Sequence, residues 1–333
     1  MRMSRCFSTC SRTLSHENPL NLPRRGPPKD GTPPTVPRAQ RGLPQKRPIP
    51  HVKKVVAVSS AKGGVGKSTL AVNLALALSR HRLRTGILDT DIFGPSIPTL
   101  LGLEKAGLPD VTQDGKLVPL RSFGVGSMSM GYLLGKGKQA SGDKEGSGAG
   151  SDEGPVAWRG LMVMKALQQL LHEVQWGGSA QSPELDVLVL DMPPGTGDVQ
   201  LTIGQQVTVD GAVVVSTPQD VALRDAVRGV RMFETMGIRV LGMVRNMSVF
   251  VCPKCGEETK VFAHRGGGGL QERMEQMGVE VLGEIPLDPQ ICYDADAGTP
   301  TIVAEEASGQ KVNSRFYEAI AQKVAAQVGL PWT

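Results

Sequence analysis

At 333 residues, 40% of them apolar, the chain can bury one large α/β core or two small ones, and global disorder is excluded. Nowhere do about 18 apolar residues run together, so no membrane-spanning helix is expected. The net charge of +5 is uneven. Met1–Lys54 holds twelve Lys or Arg against Glu17 and Asp30, whereas the rest holds 25 basic and 30 acidic residues, so no nucleic-acid-binding face is expected on the folded part.

The first sixteen residues contain Arg2, Arg5, Arg12 and four serines, with no acid before Glu17. Arg-rich, Ser-rich and acid-poor is the composition of a mitochondrial transit peptide, and the apolar stretch of a secretory signal is missing. From Pro19 to Pro50 proline is too frequent for helix or sheet to propagate. Residues 1–52 are therefore read as transit peptide and disordered segment, and 53–333 as one domain. The competing reading is a basic tail with no address.

From Lys54 onward, short apolar runs alternate with helical patterns, the sign of a parallel sheet with crossover helices. Strands are expected at Lys54–Ser59, Thr85–Asp89, Asp186–Asp191, Gly211–Ser216, Val240–Val244 and Val279–Ile285, with a helix over Ser68–Ser79. Phe316, Ile320, Val324 and Val328 recur at steps of four, which predicts a last helix stopped by Gly329. Residues 135–154 are Gly/Ser-rich and polar, as in a flexible surface insertion.

Ser60-Ala-Lys-Gly-Gly-Val-Gly-Lys-Ser-Thr69 lies between an expected strand and an expected helix, the context a phosphate-binding loop requires. Gly63, Gly64, Val65 and Gly66 would wrap backbone around phosphate oxygens, with the helix N-terminus aimed at the anion. Lys67 would reach the β- and γ-phosphates of ATP, and the hydroxyl of Ser68, followed by Thr69, would ligate Mg²⁺. Ala61 stands where the ordinary pattern has glycine. The form Lys62-Gly-Gly-Val-Gly-Lys-Ser-Thr69 resembles the deviant-Walker (SIMIBI-type) P-loop ATPases. That resemblance implies a face-to-face homodimer in which Lys62 serves the partner's nucleotide. It also implies that Asp91, in Asp89-Thr-Asp-Ile-Phe-Gly-Pro-Ser96, orients the attacking water in switch I. Asp191, opening Asp191-Met-Pro-Pro-Gly-Thr-Gly-Asp198, would be the Walker B carboxylate holding Mg²⁺ through water, followed by switch II. Lys62, Lys67, Asp91 and Asp191 are thus the expected catalytic set. Asn246, Pro286 and Asp288, at the ends of two later strands, resemble the group's base-contacting positions, although Asn and Asp there are common turn formers.

Of five cysteines, Cys6 and Cys10 fall in the presumed transit segment. Cys252 and Cys255, in Cys-Pro-Lys-Cys-Gly256, can chelate one metal or cluster, and the glycine permits a tight turn. Zinc needs four ligands; His264 offers a third at an unusual spacing, and Cys292 reads as a surface or packing thiol. Two chains across a two-fold axis would supply four thiolates, which suit zinc or a 4Fe–4S cluster equally by count.

Asn246-Met-Ser-Val-Phe-Val-Cys-Pro-Lys-Cys-Gly256, together with the two aspartate loops and Trp158-Arg159-Gly160, resembles the Mrp-type Fe–S carrier family over residues 53–333. The basic head brings it nearest to that family's mitochondrial branch, which is linked to respiratory complex I assembly. The resemblance implies a matrix protein that holds a 4Fe–4S cluster between two copies and delivers it to apo-proteins, complex I subunits among them, with slow ATP hydrolysis. A peripheral contact with the inner membrane is compatible with that role. The rival is a partition or positioning ATPase switch with a zinc-bridged dimer. Such a switch needs no C-x-x-C and usually ends in a basic amphipathic helix, whereas Arg315 and Lys323 are the only basic residues of this last helix.

Overall fold

The computed structural model describes residues 46–134, 160–178, 183–252, 254–262, 274 and 277–332. The presumed transit peptide, the insertion at 135–154, Trp158, Arg159 and His264 lie outside the described residues. In chain order the elements are β1 (Val52–Ser59), α1 (Lys67–Arg80), β2 (Thr85–Asp89), α2 (Ile97–Leu100), β3 (Leu120–Ser122), β4 (Val125–Met128), α3 (Met130–Leu134) and α4 (Gly160–His172). Then follow β5 (Leu185–Asp191), α5 (Asp198–Gln206), β6 (Gly211–Ser216), α6 (Asp220–Thr235), β7 (Val240–Asn246), β8 (Phe250–Val251) and β9 (Glu258–Thr259). The last are β10 (Val281–Ile285), α7 (Pro289–Asp296), α8 (Thr301–Ser308) and α9 (Ser314–Val328).

Eight strands form one sheet in the order β10-β7-β6-β1-β5-β2-β4-β3, parallel except for the β3–β4 pair. β1, β5 and β6 are buried on both faces, which explains their unbroken apolar runs. One core layer packs Phe233, Leu167 and Trp176 against one face, and the other packs α1 and α9 through Leu74, Leu78, Tyr317 and Ile320 against the opposite face. Gly329 ends α9 at φ 74°, the left-handed stop its position predicts. This is a P-loop NTPase α/β fold.

Two features differ from the expectation. The ordered domain starts earlier than residue 53. The Lys46 ammonium donates to the Met236 carbonyl at 2.6 Å, Arg47 bridges to Val207, and Ile49 is 2% exposed. A buried isoleucine amid prolines holds the segment down without regular structure. The β3–β4 hairpin at the sheet edge was also not expected. Its two-residue turn, Phe123-Gly124, has φ of 50° and 88°, a type I′ geometry that only a glycine-containing pair adopts cheaply.

Candidate functional site

Parallel strands deliver their carboxyl ends to one edge, and there Lys62, Lys67, Ser68, Asp91, Asp191 and Asn246 gather. β1 runs into the loop 60–66, β2 ends at Asp89, β5 at Asp191, and β7 at Asn246. Because β2, β5, β1 and β6 are neighbours, residues far apart in sequence meet over α1.

Gly64 and Gly66 sit at φ 76° and 83°, the left-handed conformations that let the loop curl into the first turn of α1. A Cβ on Gly63 or Gly64 would meet nothing within 4 Å, so this backbone faces open space. The space is a cavity of about 250 Å³ lined by Ser60, Gly63, Gly66, Lys67, Asp91 and Pro194 among others. α1 has no acid in its first turn and no side-chain cap. Its N-terminal N–H groups and Lys67 make an anion-binding end, and the donor set fits a nucleotide phosphate.

The Lys67 ammonium pairs with the Asp191 carboxylate, both nearly inaccessible, and Ser68 Oγ donates to the other Asp191 oxygen at 2.6 Å. Ser96 Oγ lies 3.3 Å from Ser68 Oγ, which brings switch I against the same hydroxyl. Ser68 and Asp191 are thus placed side by side as a hydroxyl and a carboxylate, the hard-oxygen pair that Mg²⁺ favours. Burial pushes the Asp191 carboxyl up, and the adjoining Lys67 charge opposes it. Asp89, 1% exposed, is pushed up to about 7, first by burial and then by the Asp191 charge.

Asp89 braces switch I. Its carboxylate accepts from Asp91 N at 3.0 Å, Ile97 N at 3.3 Å and Ser129 Oγ at 3.1 Å, fixing both ends of the loop. Asp91 itself lines the cavity and accepts from Gly94 N. Switch II is held likewise by Gln200, whose Nε2 donates to the Pro193 and Pro194 carbonyls at 3.0 and 2.8 Å. Its Oε1 accepts from Gly197 N, and Gly195 N bonds to Ser60 O. Ser96, Ser129 and Gln200 escaped the sequence reading. Only Gln200 left a trace there, as a Gln three residues into a helix that follows a glycine.

The remaining expectations divide. Lys62 is exposed on the same edge, with no ion pair among the described residues. Asn246 does reach the loop, but its amide nitrogen is spent on the Val65 carbonyl at 2.9 Å, and a Cβ on Gly66 would collide with it. Pro286 follows β10 as expected. Asp288 is not in the phosphate cavity: it caps α7 by accepting from Gln290 N and also takes the Asn313 amide at 2.8 Å.

Cys252 and Cys255 lie at the turn of the separate β8–β9 hairpin, both free. Gly256 at φ 71° donates its N–H to Cys252 O at 2.8 Å, closing a tight knuckle. The backbone N–H groups of Cys255 and Lys254 turn toward the Cys252 sulfur and lower its pKa, favouring the thiolate that binds metal. Among the described residues no group of three or more His, Cys, Asp or Glu is arranged to hold a metal. The two thiols of this turn are thus free, as is that of Cys292, which is exposed on α7. No helix among the described residues is long and apolar enough to cross a membrane.

Comparison with known proteins agrees with this arrangement. The family described as ParA: NUBPL iron-transfer P-loop NTPase matches residues 51–325. The Mus musculus protein named iron-sulfur cluster transfer protein NUBPL is 42% identical over 290 residues, which is 86% of this chain and 82% of that one. An Arabidopsis thaliana protein, named iron-sulfur protein required for NADH dehydrogenase, mitochondrial, is 43% identical over 274 residues, 82% of this chain and 78% of its own. Among solved structures, a nucleotide-binding protein from Archaeoglobus fulgidus in complex with ADP superposes with a TM-score of 0.59. It is 35% identical and covers 74% of this chain and 87% of that one. With the P-loop, both aspartate loops and the cysteine knuckle all inside the matched span, the chain belongs to the NUBPL family of iron-transfer P-loop NTPases.

Proposed function

We propose that this protein is an ATP-dependent iron–sulfur cluster carrier of the mitochondrial matrix. Two copies hold one 4Fe–4S cluster between their Cys252–Cys255 knuckles and pass it to apo-proteins of the NADH dehydrogenase complex. The observation that carries this reading is the knuckle itself: two free, accessible thiols with no third ligand near them among the described residues. Two ligands from each chain hold the cargo with few bonds, which suits a cluster meant to leave. The relatives named for cluster transfer and for NADH dehydrogenase support the cargo and its destination. The import address rests on the Arg- and Ser-rich head.

Lys67 and the α1 N-terminus bind the phosphates of ATP; Ser68 and Asp191 would hold Mg²⁺, which would supply charge neutralisation to the phosphates. Lys67 must exchange Asp191 for phosphate when nucleotide enters. The freed Asp191 would then hold Mg²⁺ through water, and Asp91 would orient the attacking water. Lys62 reaches the partner's nucleotide, so the phosphate state is read at the dimer face. Switch II, joined to the P-loop through Gly195 and Ser60, moves with it. Anaerobic reconstitution followed by Mössbauer spectroscopy and metal analysis tests the reading. Four irons per two chains with the signature of a 4Fe–4S centre is the expected result; one tightly held zinc and no stable cluster would favour a zinc-bridged switch.

A further inference from the structure

Ser96 closes switch I at the position where a helix is normally capped, yet its hydroxyl caps nothing. A serine placed there ordinarily bonds the second or third N–H of its helix. In α2 the second residue is Pro98, which has no N–H, and the first N–H, that of Ile97, goes to the Asp89 carboxylate at 3.3 Å. Ser96, half-buried, is left facing the phosphate cavity, which it lines together with Ser68 and Asp91.

The hydroxyl of Ser68 has one hydrogen to give and two lone pairs to receive. Its hydrogen goes to Asp191 Oδ2 at 2.6 Å. One lone pair accepts from the Lys67 ammonium at 3.1 Å, and the other from Ser96 Oγ at 3.3 Å. Every bonding direction of this oxygen is in use, so it can hold a cation only by losing a donor. Lys67 is the donor that leaves for phosphate. Ser96 stays, and with Asp191 on the hydrogen it fixes the rotation of the hydroxyl. The lone pair that Lys67 gives up is then the one left for the cavity.

Ser96 itself is loosely held. Its single hydrogen lies between Ser68 and the Gly94 carbonyl, at 3.3 and 3.4 Å. Both are longer than the about 2.7–2.8 Å usual for a hydroxyl donor, so closing switch I by about half an ångström would complete the bond to Ser68. Bonds of this kind are often long before the ligand enters and tighten around it.

We propose that Ser96 is a positioning residue that acts through Ser68. It turns the Ser68 hydroxyl toward Mg²⁺ and, through the loop it shares with Asp91, draws switch I onto α1 when the cation is in place. The inference deepens the nucleotide reading given above and rests on it.

The test is the Mg²⁺ requirement of ATP binding, followed with a fluorescent ATP analogue on the full chain. In Ser96→Ala, half-maximal binding should need about three- to tenfold more Mg²⁺, the worth of one neutral hydrogen bond. Affinity for the analogue in EDTA should stay at the wild-type value, because Lys67 and the N–H groups of α1 are untouched. Ser96→Thr, which keeps the hydroxyl, should restore the wild-type Mg²⁺ requirement. The melting temperature of both variants should not move, since no helix cap is lost. An unchanged Mg²⁺ requirement in Ser96→Ala would overturn the proposal. So would an equal loss of affinity with and without Mg²⁺, a threonine variant that behaves as the alanine one does, or a lowered melting temperature that tracks the loss. A wild-type chain whose ATP binding ignores Mg²⁺ would instead sink the nucleotide reading itself, and this inference with it.

Discussion

Lys67, at the head of α1, and Asp191, at the end of β5, are 124 residues apart in sequence and form an ion pair that is almost closed to solvent. A charge pair of this kind stabilises little by itself, but removing one member strands the other. Lys67→Ala is expected to cost about 3 kcal/mol or more at pH 8 and less at acidic pH, because burial raises the Asp191 carboxyl and a protonated carboxyl needs no counter-charge. ATP affinity should fall roughly ten- to hundredfold with the loss of a charged hydrogen bond to phosphate. Calorimetric melting at the two pH values and nucleotide titration check both statements.

Asp89 gives the fold a pH slope. Its native carboxyl titrates at about 7 against an ordinary 3.8, so between those values the native state keeps a proton that the unfolded state has released. Stability should therefore fall as pH rises through that window and level off above it. Asp89→Asn, which stays neutral, should gain on the wild type steadily from pH 4 to 7. Denaturant melts that remain parallel across that range would refute the assignment.

Lys62 and Lys67 should separate kinetically. Lys62 is exposed while Lys67 is buried in its own chain's loop. Lys62→Ala is expected to leave ATP affinity within about twofold and to lower hydrolysis or nucleotide-dependent dimerisation, because a charge acting in trans contributes only after two chains meet. Equal loss of affinity in both variants would make Lys62 a second phosphate lysine in cis.

The fold was legible where the physics is local and periodic. The strands at 85–89 and 211–216 were read to the residue, because burial on both faces leaves an unbroken apolar run that turn residues delimit. The P-loop was legible because it needs glycines and a lysine at fixed spacing. Ser129 was not, since its bond to Asp89 joins residues 40 apart through tertiary packing that no local pattern records. The β3–β4 hairpin was missed because Leu120–Ser122 is short and half-exposed, with only Phe123-Gly124 as a signal. For Asp288 the strand end marked the position, but its bond to the Asn313 amide joins residues 25 apart that no local pattern links.

Truncation should reveal where the domain begins. Ile49 is buried and Lys46 is anchored on Met236, so removing residues 1–50 takes away one fully buried aliphatic side chain, worth about 1.5–3 kcal/mol. A chain starting at residue 46 should keep those contacts and melt several degrees above one starting at 51. Identical melting temperatures would show that the segment adds nothing to the domain.

The central claim is that two chains share one cluster through Cys252 and Cys255. Native mass spectrometry of the anaerobically reconstituted protein measures this directly, because it weighs chains and cluster together. The account predicts a dimer carrying a single 4Fe–4S unit, and neither Cys252→Ala nor Cys255→Ala should retain it, although both should keep ATP binding and the wild-type melting temperature within about 2 °C, as expected for substitutions at an exposed turn. A monomer that carries the cluster alone, or a single-cysteine variant that keeps full iron content per dimer, would contradict it.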